Sequence, residues 1–174
     1  MAVFVENKAI LDSLKPYKYI YDSVVNRITA KKSNVLMFFD YPADEDIMQN
    51  IMQTVSPDSI HYMKYSELKF NEEAILKTFS GMIRYTCNNL NGKFNLFRAS
   101  TALGVTNLLV ETLLEMFEDA GMIKIKERNE EDFIIEFFTT VELSKTVKTP
   151  KYAEFIEIMN NIHDYKNKFM EMSL

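Results

Sequence analysis

Apolar positions recur with two different periods along this chain, and the change of period divides it. From Thr106 onward, Val110, Leu113, Leu114 and Phe117 fall at i, i+3, i+4 and i+7, the spacing of one buried helix face. Thr106 stands where an N-cap belongs and Gly121 where a left-handed C-cap belongs. Before this helix, FNLFRASTAL predicts a short strand and a short helix closed by a turn at Gly104. After it, residues 123–138 predict a two-stranded hairpin. Upstream, Asn71 caps a long helix from Glu72 to about Asn88, with Ile75, Leu76, Phe79, Met82, Ile83 and Thr86 as its inner stripe and Asn91-Gly92 as its stop. That order of elements predicts a winged helix-turn-helix over residues 67–140.

The first third of the chain has a different rhythm. Ala9, Ile10 and Leu14 predict one short helix ended by Pro16, and YKYIY (17–21) is rich in β-formers and predicts a strand. Asp22-Ser23 caps a short helix through Val24, Val25 and Ile28, closing on Lys31 and Lys32. NVLMFFD (34–40) is a nearly continuous apolar run, the pattern of a strand buried on both faces. Pro42, Asp44, Glu45 and Asp46 open a helix carrying Ile47, Ile51, Met52 and Val55 inward, Pro57-Asp58 turns the chain, and SIHYMKY (59–65) predicts a third strand. Residues 1–66 therefore read as a small parallel, Rossmann-like βαβαβ layer. Residues 141–174 read as a polar connector, VELSKTVKTPKY, and a closing helix from Ala153 to about Met170 with Phe155, Ile158, Met159, Ile162 and Tyr165 on one face. The fold class expected is α/β in three segments.

Composition narrows the class. At 174 residues and 47% hydrophobic content the chain can bury a real core. One cysteine, Cys87, excludes a disulfide scaffold and suits a reducing compartment, and no run is apolar and long enough to span a bilayer. A soluble, cytoplasmic protein with no membrane partner is expected. The net charge of −5 argues against a nucleic-acid footprint over the whole surface, yet residues 1–33 carry six bases against three acids.

Few residues could carry chemistry. His61 and His163 have no partner at metal-ligand spacing, and the glycines at 81, 92, 104 and 121 form no phosphate loop. Asp22 and Asp40, each read as ending a parallel strand, could hold a hard cation, although helix caps already account for both. The outward face of the helix at 106–119 carries Asn107, Glu111, Glu115 and Glu118 where a duplex reader needs cations, so direct readout of duplex DNA is not expected. With Leu108 and Thr112 beside its acids, that face (Asn107, Leu108, Glu111, Thr112, Glu115) is expected to meet another protein. Lys145, Lys148 and Lys151, followed by Tyr152, are the candidate contacts to single-stranded nucleic acid. The alternatives are a free-standing winged-helix regulator of duplex DNA and a small metal-dependent phosphohydrolase using Asp22 and Asp40.

Three stretches carry a family resemblance. FNLFRASTALGVTNLLVETLLEMFEDAGMIKI resembles the winged helix in the C-terminal extension of the RecJ single-stranded-DNA-specific exonucleases of Gram-positive bacteria. LSKTVKTPKY resembles the polar segment after that wing, and the strands around YIYD and NVLMFFDYP are similar to the α/β layer before it. The resemblance spans roughly residues 17–155. It implies an accessory region that helps a 5′–3′ nuclease core engage DNA, or partner proteins in recombination and repair. The Asp-rich and Asp-His-His motifs that hold Mg²⁺ or Mn²⁺ in such cores have no counterpart here, so no catalytic residue and no cofactor is carried over.

Overall fold

A computed structural model of the chain describes residues 1–63, 71–138 and 143–172. They form a mixed α/β protein of two compact units. The first comprises residues 1–69, 101–105 and 161–174, and the second residues 70–100 and 106–160. The closing segment is thus divided between the units.

The first unit is built on a four-stranded parallel sheet in the order β2-β1-β3-β4, with β1 at Ala2–Phe4, β2 at Val24–Val25, β3 at Val35–Phe38 and β4 at Ser59–Tyr62. The central strand β1 lies inside a stretch expected to contain only a helix. Its residues are buried, and it pairs with β2 through Val3↔Val24 and with β3 through Val3↔Met37. YKYIY departs from its expectation too. Lys18–Tyr21 is a one-turn helix, α2, because the Tyr17 carbonyl accepts from the amides of Ile20 and Tyr21. Val24 and Val25, expected in a helix, are strand instead: β-branched side chains suit the sheet edge beside β1. Helix α1 (Lys8–Leu14) is capped by Asn7, and α3 (Glu45–Val55) by Asp44, whose carboxylate accepts from the Ile47 amide. Strand β4 follows the expected start of SIHYMKY, whose last residues, 64 and 65, lie outside the described ones. Phe4, Phe38, Tyr62, Phe169 and Tyr41 form a chain of ring contacts with centroids 5.5 to 5.9 Å apart.

The second unit follows the expected order closely. Helix α4 (Glu72–Asn89) is capped by Asn71, and β5 (Lys93–Asn95) leads into α5 (Leu96–Leu103). Helix α6 (Asn107–Asp119) starts at Thr106, whose hydroxyl accepts from the Leu109 amide. Strands β6 (Ile123–Asn129) and β7 (Asp132–Phe137) complete an antiparallel sheet in the order β5-β7-β6. Gly104 and Gly121 turn the chain with φ of +67° and +69°. Phe79 meets both Phe94 and Phe117 edge to face, which joins α4, β5 and α6 around one core. The short helix α7 (Leu143–Thr146) precedes α8 (Lys151–Met172), which buries Phe155, Ile158, Met159 and Ile162. Residues 141 and 142 of the expected connector lie outside the described ones.

Candidate functional site

Open parallel sheets take ligands at the carboxyl ends of their strands, where neighbouring connections diverge. Here that place lies between β1, whose connection leads toward β2, and β3, whose connection leads toward β4. Asp40 of the chain itself sits there. Asp40, two residues beyond β3, turns its carboxylate across the end of β1. There one oxygen accepts from the amides of Glu6 (3.2 Å) and Asn7 (2.7 Å). The other accepts from the Tyr41 amide (2.9 Å) and from Lys166 Nζ (3.2 Å) on α8. Backbone amides that could cradle a bound anion therefore hold a buried carboxylate of the same unit.

Beside it lies a buried ion pair. Glu6 Oε1 accepts from both the backbone amide and Nε of Arg27, and Arg27 Nη2 donates to the Val105 carbonyl at 2.8 Å. The side chains of Glu6 and Arg27 keep only 2% and 6% of their surface exposed, so neither is a solvated charge. Burial pushes the Glu6 carboxyl above its ordinary value. The Arg27 charge and hydrogen bonds pull it back only in part, and the nearby Asp40 charge adds to the rise.

Asp22 does not join this group. It ends α2 and precedes β2, so it lies at the amino end of the parallel sheet, whereas Asp40 lies at the carboxyl end. The two carboxylates that the phosphohydrolase alternative needs together are placed at opposite rims. Among the described residues no three His, Cys, Asp or Glu side chains gather as metal ligands would.

The acidic face of α6 is likewise occupied. Arg128 on β6 reaches Glu111 and Glu115, and Lys151, the first residue of α8, meets Glu115 at 2.8 Å and Glu154 at 2.8 Å. These contacts hold the Glu115 carboxyl below its ordinary value, the Lys151 hydrogen bond contributing most. Glu118 accepts from the Ile125 amide, and Asn107 accepts from the Ser100 hydroxyl. Thr112, expected at the surface, is 1% exposed and donates its hydroxyl to the Leu108 carbonyl. It faces the interior because α6 is wrapped on more than one side: seven of its thirteen residues are buried, too many for a single stripe. Leu108 remains exposed. No family model, curated protein or solved structure gives a match to this chain.

Of the expected lysine strip, Lys145 and Lys148 are exposed, whereas Lys151 is ion-paired and the Tyr152 hydroxyl donates to Glu72 at 2.6 Å. A different basic and aromatic surface was missed. Tyr17 and Tyr19 expose 62% and 93% of their area, flanking the exposed Lys18. The segment bearing them leads into β2, and Lys31 and Lys32 lead into β3, two strand positions away, so both lie at the amino rim of the sheet. That separation is about 10 Å. Lys18, Lys31 and Lys32 make no ion pair among the described residues. The signal was available in KPYKYIYD, where aromatic and basic residues alternate; reading it as a strand hid it. Among the described residues, no helix is long and apolar enough to cross a membrane.

Proposed function

We propose that this chain is a non-catalytic interaction region that serves a single-stranded-DNA-specific 5′–3′ exonuclease of the RecJ kind in cytoplasmic DNA recombination and repair. The observation that supports the non-catalytic part is Asp40, whose carboxylate is held by strand-end amides and Lys166 at the place where an α/β sheet would hold substrate or metal. The nuclease core, with its Mg²⁺ or Mn²⁺, is the partner in this reading, and recombination or repair proteins are further candidates. Residues 71–138 act in it as a winged helix-turn-helix. The order α4-β5-α5-α6-β6-β7, the Thr106 cap and the left-handed turns at Gly104 and Gly121 support that assignment. Helix α6 serves packing rather than groove reading, since Arg128 and Lys151 already hold the acids it presents.

Contact with single-stranded DNA falls on the amino rim of the sheet, where Tyr17 and Tyr19 offer stacking faces and Lys18, Lys31 and Lys32 meet phosphates. Stacking contributes about 1–3 kcal/mol per base, so Tyr17→Ala with Tyr19→Ala should weaken oligothymidine binding about tenfold or more. Each lysine removed there should flatten the log–log salt slope by about 0.7. Anisotropy titrations across a salt series read both effects, with circular dichroism confirming the fold. Unchanged affinity and slope in these variants would refute the rim as the DNA contact.

A further inference from the structure

Helix α4 contains a glycine for which the interior of the protein gives no reason. Gly81 lies in the middle of the helix and is not among the glycines with positive φ, so its backbone does not require glycine. Glycine weakens a helix interior relative to alanine. Apart from its chain neighbours and the backbone of its own helix, no atom lies within 4 Å of the position a Cβ would take, so no other packed group needs the space. Gly81 lines a groove of about 480 Å³ together with the apolar side chains of Met82, Leu90 and Phe94 and the basic ones of Lys93 and Arg98. A second hollow shares Leu90, Lys93, Phe94 and Arg98 and extends the groove toward Asp132 and Phe133.

The groove has both apolar and basic lining. Tyr85 and Leu90 line it with 59% and 43% of their surfaces exposed. Lys93 and Arg98 are exposed and make no ion pair among the described residues, and Lys77 and Arg84 add two more exposed cations along α4. Asp132 is the one acid among the residues lining the two hollows, and its carboxylate accepts from Asn95 Nδ2. In a chain of net charge −5 this concentration of unanswered cations is a local exception.

We propose that this groove docks a short acidic peptide segment of a partner protein, with a large apolar side chain seated against Met82, Leu90 and Phe94. Carboxylates of the segment meet Lys93 and Arg98, and its backbone passes over Gly81, where a side chain would stand in the way. A nucleic-acid strand fits less well, because it needs successive stacking faces and the groove exposes only the Tyr85 ring. The inference stands on the groove alone and is independent of the exonuclease reading.

The test is fluorescence anisotropy of the whole chain with labelled probes. These are an Asp/Glu-rich peptide carrying a Leu-Phe pair, the same peptide with Lys for each acid, the same peptide with Ser-Ser for Leu-Phe, and oligothymidine. The first should bind in preference to the other three. Lys93→Glu and Arg98→Glu should each weaken it by about tenfold, the equivalent of 1.4 kcal/mol. Gly81→Leu should abolish binding while the melting temperature holds or rises, which separates a blocked groove from a damaged fold. Failure of the acidic–apolar peptide to bind, equal binding of the lysine peptide or oligothymidine, or unchanged binding in Gly81→Leu would each overturn the proposal.

Discussion

Gly92→Ala should destabilise the protein by about 3–4 kcal/mol. Two costs combine. Gly92 has φ of +76°, a left-handed conformation that costs a non-glycine residue about 1–2 kcal/mol. A Cβ built there falls 2.1 Å from the Ile135 carbonyl oxygen, which is backbone and cannot swing aside. The Gly92 carbonyl also accepts from the Ile135 amide, so relieving the overlap would open the β5–β7 edge. Overpacking of this kind adds about 1–3 kcal/mol. Gly121 supplies the control, with a similar φ of +69° and open space around it, so Gly121→Ala should cost only the conformational part, about 1–2 kcal/mol. Urea unfolding of the two variants measures the difference. Equal losses would show that β7 yields and that the clash carries no energy.

Arg27→Met should cost about 3–5 kcal/mol at neutral pH, because it leaves the buried Glu6 carboxylate without its cation and the Val105 carbonyl without its donor. The pairing with Glu6→Leu should recover much of that loss, since a well-packed apolar pair can replace a buried ion pair. The sign of the pH dependence follows from the Glu6 carboxyl, already raised by burial. A carboxyl raised in the folded state favours folding while protonated, and that stability is lost as pH rises through its folded value. Without Arg27 the folded value rises further, so the variant's deficit should be greatest at neutral pH and shrink as pH falls toward 4.5, the ordinary value. Unfolding curves at several pH values would show this. A deficit independent of pH would mean that lost packing, not the stranded charge, governs the variant.

The parts of the fold legible in the sequence are those written locally. Helices α4 and α6 carry their caps, Asn71 and Thr106, and an apolar repeat several turns long, so their type and starts follow from nearby residues. What escaped depends on residues far apart in the chain. Strand β1 has three residues, too few to display a period, and it is central only because β2 and β3 pair with it. Glu6 and Arg27 are 21 positions apart, and Asp40 finds its amides 33 and 34 positions away. A helix cap accounts for Asp40 locally, whereas in the fold distant amides hold it. The face of α6 was read as exposed because one buried stripe accounted for its apolar residues. Glu111 and Glu115 find Arg128 on β6, and Thr112 faces inward, because the helix is covered on more than that stripe.

Degradation of 5′-labelled single-stranded DNA in Mg²⁺ or Mn²⁺, by this chain alone and by a RecJ-type catalytic core with and without it, tests the central claim most directly. The Asp40 geometry predicts that the chain alone leaves the substrate intact, and the accessory reading predicts that adding it to the core accelerates degradation. Cleavage by the homogeneous chain itself, or a core indifferent to its presence, would contradict the account.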